Sequence, residues 1–168
     1  WPGGIVVDAT AGNGHDTLML AQQVGPRGRV YAFDIQELAL HRTRELLVQE
    51  GVAGRVNLIL DGHEHMSRYV KAPLAAVMFN LGYLPGGDRE VITGADTTVA
   101  GVREALHLLK PRGLITIVVY TGHRGAAEEK EAVLGYCRRL DQKQYSVMHV
   151  NFINQANYPP ELVAISSR

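Results

Sequence analysis

One cysteine, Cys137, stands in a chain of 168 residues. A disulfide-stapled secreted scaffold is therefore excluded, and the cysteine count fits a reducing cytoplasm. No apolar run approaches the ~18 residues of a membrane helix, so no membrane partner is expected. Charge of one sign is lacking too: seventeen basic residues face seventeen acidic ones. Bulk electrostatics does not draw such a chain to nucleic acid, which counts against a general RNA or DNA coat but leaves room for a basic patch around one pocket. Metal spacing is missing. His63-Glu64-His65 lacks the His-Glu-x-x-His pattern of helical zinc sites, no second cysteine exists, and no metal is expected. Repeats, low-complexity tracts and linkers are absent, so one domain spanning 1–168 is expected. The chain begins at Trp1, already inside a strand-like pattern, which suggests a trimmed N-terminus. What is present is a 46% apolar composition, enough to bury a core and to exclude disorder.

Apolar, β-rich runs alternate with helical patterns. "IVVDA" (5–9), "RVYAFD" (29–34), "RVNLIL" (55–60), "LAAVMFN" (74–80) and "LITIVVY" (114–120) read as strands, the first and the last of them buried and "LAAVMFN" apolar on both faces. Helical spacing fills 14–24, with Leu18, Ala21 and Val24, and 36–50, with Leu38, Leu46 and Leu47. Asp96 is placed to cap a helix running to about Leu109, which Lys110-Pro111-Arg112-Gly113 stops. Residues 125–140 form a further amphipathic helix. Two last strands, 145–153 and 162–166, have no helix between them and suggest an antiparallel hairpin. This alternation predicts an α/β fold, a mostly parallel seven-stranded sheet with helices on both faces. In such sheets ligands bind beyond the carboxyl ends of the strands, at the point where strand order reverses. Those ends are Asp8 to Gly14, Asp34 to Gln36, Asp61 to His63, Asn80 to Gly87 and Tyr120 to Arg124.

"VVDATAGNGHDT" (6–17) ends an apolar run in an acid and follows it with Gly-Asn-Gly. Gly12 and Gly14 permit positive φ and a close backbone approach to a ligand. A dinucleotide site wants a third small residue and an acid ~20 residues on. Gly12-Asn13-Gly14-His15-Asp16-Thr17 fails the first requirement, while Asp34 meets the second. S-adenosylmethionine is the other reading. Its amino-acid head needs acceptors and donors at the loop, which Asp8, Asn13, Asp16 and Thr17 offer. Asp34 would accept from the ribose hydroxyls, and Asp61 from the adenine amino group, with His63 packed nearby. Ile35 and Gly62 complete these two strand ends. A bare strand-to-helix turn, and ordinary loop capping by Asp34 and Asp61, stand as the alternatives.

"FNLGYLPGGD" (79–88) is the second informative stretch. Methyl transfer from a sulfonium is an in-line displacement and needs a neutral nucleophile aimed at the methyl. An alkyl amine is mostly protonated at pH 7, with an ordinary pKa near ~10. A site offering acceptors binds the amine and points its lone pair. The Asn80 side-chain oxygen and the Leu81 carbonyl are candidates for that role, and Tyr83 for packing on a flat base. Orientation would supply most of the rate.

Asp8-Ala9-Thr10-Ala11-Gly12-Asn13-Gly14 resembles the first motif of class I S-adenosylmethionine-dependent methyltransferases, a Rossmann-like fold. Asn80-Leu81-Gly82-Tyr83 resembles a variant of the Asn/Asp-Pro-Pro-Tyr motif of amino-group methylases, with Leu81-Gly82 in place of the rigid Pro-Pro. More narrowly, "DATAGNGHDT", "FDIQ", "NLGYLPGGD", "TTVAGV", "YTGHRGAAEE" and "NQANYPPELVAI" together resemble a small bacterial family long labelled ribosomal-RNA methylases. Members have been assigned to the wobble uridine of transfer RNA, converting its 5-aminomethyl group to methylaminomethyl. The resemblance implies that Thr10, Gly12, Asn13, Gly14, Asp16, Thr17, Asp34, Gln36, Asp61 and His63 line a cofactor site. It implies that Asn80, Gly82 and Tyr83 face the transferred methyl, and that Tyr120, His123, Tyr158 and Pro159 lie on the substrate side. It also implies that a usual N-terminal segment is missing here.

Arg124 and Arg89 are candidate phosphate contacts, whereas Arg138 and Arg139 read as solvated. Glu128, Glu129 and Glu131, with Lys130, read as a solvated helix face. The expectation is a cytoplasmic enzyme that methylates an amine on the anticodon arm of tRNA, with a homodimer supplying extra surface. Rival readings are a ribosomal-RNA or small-molecule methylase, a nicotinamide-dependent oxidoreductase, and a non-catalytic module that binds S-adenosylmethionine or RNA.

Overall fold

The computed structural model describes residues 1–82, 86, 92–120, 122, 125–157 and 159–168. Tyr83, His123, Arg124, Tyr158 and Arg89, each singled out above, lie outside the described residues. In chain order the elements are β1 (Ile5–Asp8), α1 (His15–Val24), β2 (Arg29–Asp34), α2 (Glu37–Gln49), β3 (Val56–Leu60), the one-turn α3 (Met66–Tyr69) and β4 (Leu74–Asn80). They continue through α4 (Ala95–Leu108), β5 (Leu109–Val119), α5 (Ala126–Cys137), β6 (Tyr145–Val150) and β7 (Glu161–Ser167).

The strands form a seven-stranded sheet in the order β3-β2-β1-β4-β5-β7-β6. The first five are parallel, and β7 runs antiparallel to both β5 and β6. The expected α/β sheet with an antiparallel closing hairpin is what forms. Strand β1 lies between β2 and β4, where strand order reverses, so the crevice of such folds opens beyond Asp8.

Side chains alternate across a strand, and in β1 both faces are buried. Val6 joins Leu20, Ala21 and Val24 of α1 and Leu47 of α2 on one face of the sheet. Val7 joins Phe33, Phe79, Val102 and Leu106 of α4, and Val133 and Leu134 of α5, on the other. Each fully buried valine, leucine or phenylalanine among them contributes about 1.5–3 kcal/mol. This two-sided burial is why the strands read as unbroken apolar runs. Strand β6 is the opposite case. It is an edge strand, and residues 146–150 are exposed on both faces. Among the described residues no helix is long and apolar enough to cross a membrane.

Three local expectations are corrected. Asp96 does not cap α4: Gly94 holds the N-cap position in extended backbone, and Asp96 sits inside the first turn, where the helix dipole still favours an acid. The helix stops at Leu108 ahead of Lys110 to Gly113, but the fifth strand begins at Leu109 rather than 114, so these four residues belong to β5. The pairing with β4 shifts between Leu74 and Ala76 to absorb them, and Arg112 takes a φ of 61°. On α2 the buried residues are Ala39, Thr43 and Leu47, while Leu38 faces solvent.

Candidate active site

The chain after β1 folds back over the carboxyl ends of β1 and β2. The Ala11 N–H donates to the Phe33 carbonyl (2.8 Å), and the Gly14 N–H to the Ala11 carbonyl (2.8 Å). Gly12 and Gly14 take φ values of 54° and 86°. Gly14 is required for a second reason: a Cβ there would lie 2.9 Å from the Thr43 Cα. Helix α2 is thus packed directly on the loop, and the Thr43 hydroxyl donates to the Gly12 carbonyl (3.1 Å). A close backbone approach exists at Gly14, but it is to a helix.

Asp34, at the end of β2, joins two loops. Its carboxylate accepts the Gly12 N–H (2.9 Å) on one oxygen and the Gln36 N–H (2.9 Å) on the other. Each oxygen keeps a further lone pair. Asp61, after β3, accepts from His65 Nδ1 (2.8 Å), the Tyr69 hydroxyl (2.8 Å) and the Gly62 N–H (2.8 Å). The His65 bond is the main reason its carboxyl titrates low, near about 2, so it is an anion at neutral pH. At the end of β4 the Asn80 N–H donates to the Thr10 hydroxyl (2.8 Å), and its side-chain nitrogen donates to Asp16 (3.0 Å) on α1. Asp16 therefore orients the Asn80 amide and leaves its oxygen as an acceptor.

These strand ends enclose one cavity of about 580 Å³, within the ~300–1,000 Å³ of small-ligand sites. Thr10, Gly12, Asn13 and Asp16 line it from the first loop. Asp34, Ile35 and Gln36 line it from the second strand end, and Asp61, Gly62 and His63 from the third. Asn80, Leu81, Gly82 and Tyr120 line it from β4 and β5. Four expected residues do not. Asp8 is 1% exposed and Thr17 wholly buried, bonded to each other at 2.5 Å beneath the loop. The Thr10 N–H supplies a second bond to Asp8 (3.1 Å). Burial still dominates and pushes the Asp8 carboxyl up to about 7. Asp8 and Thr17 hold the loop's foot. Gly14 faces α2, and Pro159 lies outside the lining.

His63 is a spacer. Its Nδ1–H donates to the Ala9 carbonyl (3.0 Å), its ring meets Phe79 edge-on at 5.3 Å, and Gly101 leaves room for it against α4. Burial lowers its pKa, so the ring is neutral, and Nε2 has no partner among the described residues. His63 and His65 are committed to different acceptors, the Ala9 carbonyl and the Asp61 carboxylate.

Two groups of site residues were missed. Arg42 on α2 donates to the Asn13 side chain (3.1 Å) and to the Gly86 carbonyl (3.2 Å), bridging the first loop to the chain beyond β4. Glu129 is 1% exposed rather than solvated. It accepts from the Thr98 hydroxyl (2.6 Å) and the Thr93 hydroxyl (3.0 Å), and Thr93 in turn accepts the Gly82 N–H (3.0 Å). The Thr93 N–H returns a bond to the Gly82 carbonyl (3.1 Å). Glu128 and Glu131 are exposed as expected. The neighbouring apolar positions Ala126, Val133 and Leu134 were the available signal that this helix turns one acid inward.

Residues 30–166 match the family described as "Putative rRNA methylase". A chloroplastic tRNA (mnm(5)s(2)U34)-methyltransferase of Arabidopsis thaliana is 40% identical over 94% of this chain, which spans 61% of that relative's length. A crystal structure described as a "putative rRNA-methylase" from Clostridium thermocellum superposes with a TM-score of 0.98 at 48% identity, covering 99% of this chain and 90% of that one. A "putative methyltransferase" from Streptococcus mutans, solved in complex with SAH, superposes at 0.89 with 43% identity, covering 98% and 89%.

Proposed function

The chain belongs to the family described as "Putative rRNA methylase", and we propose that it transfers a methyl group from S-adenosylmethionine to an amine on RNA. The proposed amine is the 5-aminomethyl group of the wobble uridine of tRNA, the reaction named for the Arabidopsis relative. The relative supports the wobble assignment, and the cavity's set of acceptors supports the cofactor. A pyrophosphate would meet the carboxylates of Asp16, Asp34 and Asp61 around one cavity. An ammonium head group and a ribose diol suit the same acids. Asp34 would accept from the ribose, Asp61 from the adenine amino group, and Asp16 and Asn13 would face the head group.

When bound, S-adenosylmethionine supplies a methyl carbon on a sulfonium that leaves as a neutral thioether. The protein's task is to present a free amine lone pair to that carbon. Asn80 carries this reading: its side-chain nitrogen is held by Asp16, so its oxygen is the acceptor it offers. Together with the Leu81 carbonyl it would accept the two N–H bonds of the amine and point the lone pair along the C–S axis. The nitrogen forms the new N–C bond as the C–S bond breaks, and the product ammonium sheds its proton to water. Such a reaction asks for orientation rather than a strong base. A homodimer would widen the surface offered to an anticodon arm.

The test uses tRNA from a strain lacking the final wobble methyl, with methyl-labelled S-adenosylmethionine. Label should enter the wobble nucleoside with the wild type and about a hundredfold more slowly with Asn80→Ala. Label in ribosomal RNA alone, or in neither RNA, would overturn the assignment to tRNA.

A further inference from the structure

We propose that the loop 151–157 between β6 and β7 is a base-reading surface for unpaired nucleotides flanking the methylated one. The proposal rests on the RNA reading above and adds the residues that recognise the RNA.

Position is the first observation. Strand β7 begins at Glu161, which pairs with Val119 at the carboxyl end of β5. Tyr120 follows directly, 42% exposed and on the cavity wall. The loop that enters β7 therefore reaches the same sheet edge as the candidate active site.

Composition is the second. Residues 145–160 contain no Asp, Glu, Lys or Arg. Within 151–157 the sequence is Asn-Phe-Ile-Asn-Gln-Ala-Asn, and every residue is exposed. Three of the chain's six asparagines lie in this stretch. Asn157 has a local reason, a φ of 69° that asparagine tolerates. Asn151, Asn154 and Gln155 have no such reason. Of the chain's three phenylalanines, Phe33 and Phe79 are wholly buried, whereas Phe152 is 54% exposed. Ile153 beside it is 95% exposed.

Side-chain amides carry paired donors and acceptors that match base edges, and aromatic rings stack on splayed bases. A loop with four side-chain amides and one exposed ring among its seven residues, and without charge, suits bases rather than phosphates. The acid nearest the loop in sequence is already neutralised: Glu161 is paired with Lys130 (2.7 Å) and His149 (2.6 Å). An uncharged reader also fits a chain with no net charge. Bulk electrostatics lends such a chain little RNA affinity, and bases that a stem-loop presents unstacked supply it by stacking and edge contacts.

The experiment measures methylation of a synthetic anticodon stem-loop bearing a 5-aminomethyluridine at the wobble position. It compares wild type, Phe152→Ala and the double variant N154A/Q155A at several salt concentrations. Calorimetric affinity for S-adenosylmethionine checks that each variant is folded. KM for the stem-loop should rise about tenfold for Phe152→Ala and by a similar factor for the double variant. The slope of log KM against log salt should match that of the wild type, because no phosphate contact is removed. Unchanged KM in both variants, with an active wild type, overturns the loop proposal and leaves the methyltransferase reading standing. A shallower salt slope overturns it in favour of phosphate contact. A change in oligomeric mass that tracks the KM change overturns it in favour of a second copy of this chain on the loop. A wild type that methylates no RNA amine overturns the reading on which the proposal rests.

Discussion

The two halves of the sheet's carboxyl edge are built on opposite plans. Beyond β1, β2 and β3, carboxylates fix the chain: Asp34 ties Gly12 of the first loop to Gln36 of its own, and Asp61 holds Gly62, His65 and Tyr69 of the segment that follows it. Beyond β5 and β7, side chains stand in solvent, among them Tyr120, Phe152 and Ile153. The first half suits a ligand of fixed shape, since its acceptors are preorganised before anything binds. The second suits a large partner that brings its own shape. Between them lies β4, where Asn80 is bound to the first half through Asp16 and Gly82 to the second through Thr93 and Glu129. On the proposed function, chemistry happens at the seam.

The largest expected effect breaks the first half from beneath. Asp8 titrates near about 7 rather than its ordinary 3.8. The folded state therefore favours the protonated acid, and that contribution is complete below about pH 4. It is lost as pH rises toward 7, a change on the order of a thousandfold in the folding equilibrium. Asp8→Asn, which keeps the shape without the charge, should flatten stability between pH 4 and 7. Urea unfolding across that range checks it, and parallel curves for wild type and variant would refute it. Asp34→Ala comes next. It releases both loops and removes the proposed ribose acceptor, so affinity for S-adenosylmethionine should fall about a hundredfold by calorimetry. NADH should bind neither protein. NADH binding to the wild type would restore the oxidoreductase reading.

The legibility of the two halves differed for the same reason. Asp34 ends β2, which is buried from both faces, and Asp61 follows β3, an edge strand in which Ile59 alone is buried; both runs are apolar and β-rich, so the place of the two acids at the sheet edge could be read from the chain. Asp8 ends such a run too, and its identity as an acid before a glycine loop was plain. Whether it faced the cavity or the helix beneath was not, because a strand-terminal acid looks alike in both settings. The pairing of Gly14 with Thr43 needs the packing of α2 to be known. Glu129 was misread because its partners, Thr93 and Thr98, lie 36 and 31 residues away. A run of Glu-Glu-Lys-Glu is solvated unless something distant donates to it.

Glu129 supplies the next prediction, aimed at the seam. Glu129→Gln keeps the volume but turns one acceptor into a donor facing a hydroxyl. The Gly82 segment should lose its register while the loops beyond β1 to β3 stay intact. The methylation rate should fall about tenfold with affinity for S-adenosylmethionine unchanged. Equal losses in both would show that the two halves are one unit and end the comparison. Thermal melting separates that outcome from simple unfolding.

The smallest effect probes redundancy in the first half. Tyr69 is exposed, and its hydroxyl is one of three donors to Asp61. Tyr69→Phe removes that donor and leaves the His65 bond, the largest influence on the carboxyl, in place. Asp61 should remain an anion at neutral pH, and affinity for S-adenosylmethionine should change by no more than about threefold, within the ~0.5–1.5 kcal/mol of one net hydrogen bond. A tenfold loss in calorimetry would mean that Asp61 depends on each donor separately. The first half would then be a chain of single supports, no more redundant than the route that runs from Gly82 through Thr93 to Glu129.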